Sequence, residues 1–221
     1  TLIGIQNAEN ITATYATTAT DTSPVGTYPI TPTLVDPSGK LSNYSISSTN
    51  GSLSVTPAVL TVVANNASRT YGTTNPVLSG TISGIQNGDN IAATYASTAT
   101  LTSPVGPHPI IPTFIDPSGK LGNYTVTTNS ATLTVTPAAL TVTADPQSKS
   151  YGQVDPALTY QPTSGVLFNG DSLSGALSRI AGEDAGMYAI LQGTLAASSN
   201  YVLAYVGNQL TITPTWLTAQ A

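Results

Sequence analysis

Apolar and polar positions alternate along this chain in short runs. In IAATYAST (91–98), Ile91, Ala93 and Tyr95 fall on one face of an extended segment, the two-residue period of a half-buried strand. LTVVA (60–64), VLSGTISG (77–84), NYTVTT (123–128) and ATLTVT (131–136) are further strand candidates. Turn-rich stretches separate them, including NGD (87–89) and DPSG (116–119), where Asp bonds nearby backbone, Pro presets φ and Gly closes the turn. The Asn-Ser between the last two runs predicts a hairpin. HPIIPTFI (108–115) carries prolines, which places it at a sheet edge or in irregular pairing. Residues 1–137 hold no sustained 3.6-residue period, and the glycines of SLSGALSRIAGEDAG (172–186) leave room for one helical turn there.

The pattern repeats. Residues 1–57 align on 81–137 without a gap, at an offset of 80, and a diverged third copy begins at Ala138, where AALTVTADPQSKSYG matches AVLTVVANNASRTYG. The expected organisation is an incomplete β module lacking its first strands (1–57), a complete one (58–137), a complete, diverged one (138–214), and a stub (215–221) that starts a further module or is an exchanged strand. Short strands at this density, with frequent turn signals, predict an all-β chain of tandem immunoglobulin-like β-sandwich modules; another small β fold such as β-grasp is the alternative.

Composition narrows the function. Charged residues make up 7% of the chain, against roughly 25% in an average soluble protein, and 37 threonines stand in their place. Five Lys and Arg against ten Asp and Glu leave no basic stripe, so neither nucleic acid nor an anionic membrane is an expected partner. No apolar run approaches the roughly 18 residues of a membrane span, so no membrane insertion is expected. With no cysteine, disulfides and thiolate chemistry are excluded.

Candidate chemistry is sparse. His108 is the only histidine, and no nucleophile–base constellation forms around it in the sequence. Asp36, Asp89, Asp116, Asp155 and Asp171 lie in predicted turns, where Asp is favoured for backbone bonding; Glu183 and Asp184 are adjacent. Calcium needs six to eight oxygen ligands, and the few acids per module are too thin for a buried cage. The expectation is no enzyme, no metal and no cofactor. GEDAGMYAI (182–190) has the Asp-x-Gly-x-Tyr spacing of a tyrosine corner at Asp184, Gly186 and Tyr188. Tyr188 aligns with Tyr28 and His108, while Pro24 and Pro104 stand where Asp184 does, which puts those two corners in question. Tyr15, Tyr44, Tyr95, Tyr124 and Tyr201 recur at equivalent places and are expected to pack in cores or corners.

A set of recurring elements carries a family resemblance: LTVxA, [Lys/Arg]-x-Tyr-Gly at 69–72 and 149–152, Asn/Asp-Pro-x-Leu at 75–78 and 155–158, Gly-Asp at 88–89 and 170–171, Asn-Tyr, and a closing LT[V/I]TP. Together they resemble the MBG repeats of YGX type, which occur in tandem in long bacterial surface proteins and adhesins. The resemblance implies an extracellular or cell-surface location, as a stalk or filament, and a structural role. An adhesin repeat binding glycans or surface proteins is the alternative. Partners would be copies of the chain or neighbouring modules, with a glycan or surface protein possible under that alternative.

Module 1 lacks the counterpart of 58–80. Either a longer array supplies it, or a neighbouring chain does by strand addition. TPTWLTAQA (213–221) resembles TPAVLTVVA (56–64), so Trp216, Leu217, Thr218 and Ala219 are candidates for an intersubunit strand.

Overall fold

A computed structural model describes residues 1–220. The chain is all-β; among the described residues only Leu41–Asn43 and Leu121–Asn123 form helical, 3-10 turns. Repeat 1 contributes β1 (Thr12–Thr17), β2 (Gly26–Val35) and β3 (Gly51–Val55). Repeat 2 contributes β4 (Ala58–Ala64), β5 (Ala67–Thr70), β6 (Gly80–Ser83), β7 (Ala92–Ala96), β8 (Gly106–Ile115), β9 (Tyr124–Asn129) and β10 (Ala131–Thr136). Repeat 3 follows with β11 (Ala138–Ala144), β12 (Gln147–Ser150), β13 (Tyr160–Ser164), β14 (Ser178–Arg179), β15 (Gly186–Leu191), β16 (Tyr201–Val206) and β17 (Asn208–Thr213). No residue of 172–186 is helical; that stretch holds β14 and a bridge between Ser174 and Ala196.

Each complete repeat builds two sheets, ordered β6-β4-β9 and β5-β10-β8-β7 in repeat 2, and β13-β11-β16 and β12-β17-β15-β14 in repeat 3. The first strands run parallel to the last: β4 with β9, β5 with β10, β11 with β16 and β12 with β17. The period-2 pattern explains the packing. Alternate residues of the central strands point inward, so Leu60, Val62 and Ala64, and Leu140, Val142 and Ala144, are buried. In repeat 3, Ala144 of one sheet packs with Ile190 and Leu210 of the other, which makes the repeat a β-sandwich.

Two local expectations change. The 123–136 segment is not a hairpin: β9 and β10 lie in different sheets, and Asn129-Ser130 lacks the glycine that favours a tight two-residue turn. The proline-bearing segment 108–115 lies in β8, which is internal in its sheet, between β10 and β7. In β2, residues 26–30 pair with β3 and residues 30–35 with β1, so only Ile30 is flanked on both sides. Pro29, opposite Ser52, and Pro32, opposite Tyr15, therefore sit where one side of the strand is free.

Compact units do not follow the repeats. One comprises Thr1–Val63, Thr81–Thr94 and Pro112–Asn129; the other comprises Ala64–Gly80, Tyr95–Ile111 and Ser130 onward. Every crossing between them lies within repeat 2, so each unit contains a junction between consecutive repeats.

Candidate functional site at the repeat junctions

The corner residues share one geometry. The Tyr28 hydroxyl donates to Pro24 O at 2.7 Å, the Tyr188 hydroxyl donates to Asp184 O at 2.9 Å, and His108 Nε2 lies 2.9 Å from Pro104 O. The acceptor is a backbone carbonyl in every case, so proline serves as well as aspartate, and the Asp184 carboxylate has no part in the contact. Gly186 begins β15, two residues before Tyr188.

The cation of [Lys/Arg]-x-Tyr-Gly is buried, and each repeat satisfies it differently. In repeat 2, Arg69 donates from Nε to Asn75 Oδ1 at 2.8 Å and also to the carbonyl oxygens of Thr70 and Thr100. In repeat 3, Lys149 Nζ lies 2.7 Å from Asp155 Oδ1 and 2.5 Å from Glu183 Oε2. Arg179 closes the same ring, meeting Asp155 at 2.6 Å and Glu183 at 2.5 Å while its guanidinium covers the Tyr188 ring. Asp155 is thus an ion-pair partner rather than only a turn residue. The Arg179 guanidinium and then the Lys149 ammonium hold its carboxyl down to about 2, and Glu183 is lowered by Lys149 and Arg179. A depressed carboxylate stabilises the fold fully above its unfolded pKa of about 4, and that contribution drains away as pH falls from there to about 2. Urea midpoints measured across this range should fall steeply for the parent chain. Asp155→Asn should lower the midpoint at pH 7 and flatten the decline between pH 4 and 2.

The other turn aspartates act locally. Asp116 accepts from Leu121 N at 2.7 Å and Lys120 N at 3.0 Å, and the Leu121 amide leads in lowering its pKa. Asp36 accepts from Leu41 N and Ser38 N.

The strongest polar constellation lies where repeat 2 meets repeat 3. Tyr71, 3% exposed, stacks edge-on against Tyr201 and Phe168, with ring centroids 5.5 and 6.2 Å away. Its hydroxyl donates to Asp171 Oδ2 at 2.9 Å and accepts from Asn169 Nδ2 at 3.1 Å, while its backbone N–H donates to Thr136 O. The Tyr201 hydroxyl donates to the same Asp171 oxygen and accepts from Phe168 N at 2.7 Å. Gly72 follows with φ +78°, and a Cβ there would come within 2.2 Å of the Phe168 ring, so the glycine is required by a close approach as well as by its dihedral. Beside this plug, Val105 N donates to Asn200 Oδ1 at 3.0 Å.

The junction of repeats 1 and 2 repeats part of this. Val25 N donates to Asn123 Oδ1, again at 3.0 Å, and the Tyr124 hydroxyl accepts from Gln86 N and donates to Asp89. Beside these contacts lies a cavity of about 170 Å³, lined by Val55, Thr56, Asn87, Asp89 and Tyr124 among others.

A model of the MBG domain (YGX type) matches residues 1–54, 60–134 and 140–211, three times in tandem. The chain belongs to the MBG domain family, YGX type. Comparison with curated proteins finds no match. Each complete MBG repeat carries one Tyr-Gly pair, at 71–72 and 151–152. In the first pair the tyrosine enters the next MBG repeat; in the second, Tyr151 is 49% exposed. Among the other recurrent tyrosines, Tyr124 and Tyr201 are buried at junctions, Tyr44 and Tyr95 are half-buried, and Tyr15 is exposed. Trp216, Leu217, Thr218 and Ala219 follow β17 outside any strand and are exposed; Ala221, the last residue of the stub, lies outside the described residues.

In the sequence Tyr71 stands out only as part of the [Lys/Arg]-x-Tyr-Gly element.

Proposed function

We propose that this chain is a structural MBG array of a secreted bacterial surface protein or extracellular filament, serving as stalk or fibre rather than as an enzyme. The observation that carries the reading is the hydrogen bond from a valine N–H to an asparagine Oδ1, present with the same 3.0 Å length at both repeat junctions. Chemistry in this chain is invested in how repeats join. A low-charge, threonine-rich surface suits closely spaced extracellular chains, since like-charge repulsion between them is small. Thr-Pro steps at 56–57 and 136–137, with no Gly-Ser linker, restrict bending between repeats.

Small-angle scattering tests the reading. Each junction bond is worth about 1 kcal/mol, so the Asn123→Ala/Asn200→Ala chain should remain folded yet scatter as a broader ensemble than the parent. Identical curves for the two would remove the support that these bonds give.

A further inference from the structure

In each complete repeat the entering and leaving segments run side by side in one direction. In repeat 3 the entering segment, β11 and β12, lies along the leaving segment, β16 and β17. Ala138 stands opposite Tyr201, and without a change of register Ser150 stands opposite Thr213. Repeat 2 sets β4 and β5 against β9 and β10 in the same way, from Ala58 opposite Tyr124 to Thr70 opposite Thr136. Each ladder passes from one sheet to the other part-way along, with six residue pairs in the three-stranded sheet and four in the four-stranded one.

Where the ladder changes sheets, an asparagine side chain spans the step. In repeat 2, Asn66 Oδ1 on the entering segment accepts from Thr132 N at 2.9 Å; in repeat 3, Asn208 Nδ2 on the leaving segment donates to Ala144 O at 3.1 Å. The two repeats close the same step from opposite sides. At the far end the contact is doubled. Thr136 O and Thr213 O accept from Tyr71 N and Tyr151 N, each at 2.8 Å, and the hydroxyls of the same threonines donate to Arg69 O and Lys149 O at 3.2 and 3.3 Å. At the near end in repeat 3, Ala138 N donates to Asn200 O at 2.9 Å, while the Asn200 side chain holds Val105 of repeat 2.

Tension along the chain loads such a ladder lengthwise. It reaches repeat 3 at Ala138, the first residue of the entering segment, and leaves at Thr213, the last residue of the leaving segment. Because the segments are parallel, these two points lie at opposite ends of the ladder, and tension slides one segment along the other. The rungs cross between the strands at even spacing, so sliding strains all of them together. They do not open one after another, as the rungs of an antiparallel hairpin do when its two ends are drawn apart.

We infer that each complete MBG repeat is a force-bearing clamp, in which the parallel ladder between the entering and leaving segments carries tension transmitted along the chain. The asparagine and threonine contacts serve that load. The asparagines add a bond at the step where the ladder leaves one sheet for the other, and the threonines add a second bond at the residue through which tension leaves the repeat. The clamp lies inside a repeat, whereas the stalk reading rests on bonds between repeats, so either can fail without the other.

The chain has no cysteine, so introduced pairs give unique attachment points for single-molecule pulling of the full 221 residues. With Ala139→Cys and Thr215→Cys the handles draw on opposite ends of the repeat 3 ladder. With Ala139→Cys and Ser199→Cys they draw on the same end, where the rungs open in succession. All three positions are exposed, so both chains keep the fold. At one loading rate the first pair should need several times the rupture force of the second. Adding Asn208→Ala should speed rupture under constant load about five-fold in the first geometry, the worth of one hydrogen bond, and leave the second unchanged. Equal rupture forces in the two geometries, or an Asn208→Ala chain that holds as long as its parent in the first, would overturn the clamp.

Discussion

Replacing Tyr71 with alanine is expected to destabilise the chain by about 3 kcal/mol or more, the range for deleting a buried aromatic ring, while the same change at Tyr151 in dilute protein should fall within about 0.5 kcal/mol. The two tyrosines occupy the same place in the same motif, so propensity and local backbone effects cancel between them. What differs is the following repeat. Tyr71 closes a cluster with Phe168 and Tyr201 and gives Asp171 one of its two phenol donors. Removal opens a cavity and leaves Asn169 Nδ2 without the Tyr71 oxygen it donates to. Tyr151 is half exposed and loses little. Urea denaturation of the two single variants against the parent measures the difference directly.

The second large effect is expected at Gly165. Alanine there must hold φ near +75° and place its Cβ about 2.2 Å from Ala139 O, so the central strand of repeat 3 has to move. A cost of about 3 kcal/mol or more follows from combining left-handed strain with a backbone clash. Gly4→Ala carries the dihedral strain alone, about 1 kcal/mol, because nothing lies within 4 Å of its Cβ position. Thermal denaturation of both variants separates the two terms, since their dihedral costs are alike and only Gly165 faces a carbonyl.

Much of the fold was legible in the sequence because it depends on local pattern. The alternation of Ile91, Ala93 and Tyr95 marks the inward face of β7, and the Asp-Pro-Ser-Gly stretches close on their own backbone through Asp36 and Asp116. Pairing partners were harder to read. An alternating strand declares which face is buried and leaves open which neighbour it takes, so β9 and β10 looked like a hairpin although they serve different sheets. Pro109 and Pro112 looked like an edge signal because the sequence does not show that β8 lies between β10 and β7.

The junction was the least legible part. Tyr71 reaches Asp171 across 100 residues and Val105 reaches Asn200 across 95, distances at which no periodicity links them. Of these contacts the Val–Asn one is present at both junctions, as Val25 with Asn123 and Val105 with Asn200. Asp155 was misread for a related reason: the Asn/Asp-Pro motif looks like a turn in both repeats, but in one it meets a buried arginine as an amide and in the other it completes a four-charge ring.

The account rests on repeats being locked to one another at their junctions. Amide hydrogen exchange in the unmodified chain examines this at single residues, because the Val25 and Val105 N–H groups bond only to the asparagine of the following repeat in the contacts described above. Locked junctions predict that both exchange as slowly as amides of the paired strand β10. Exchange of Val25 and Val105 at the rate of open loops, while β10 stays protected, would contradict it.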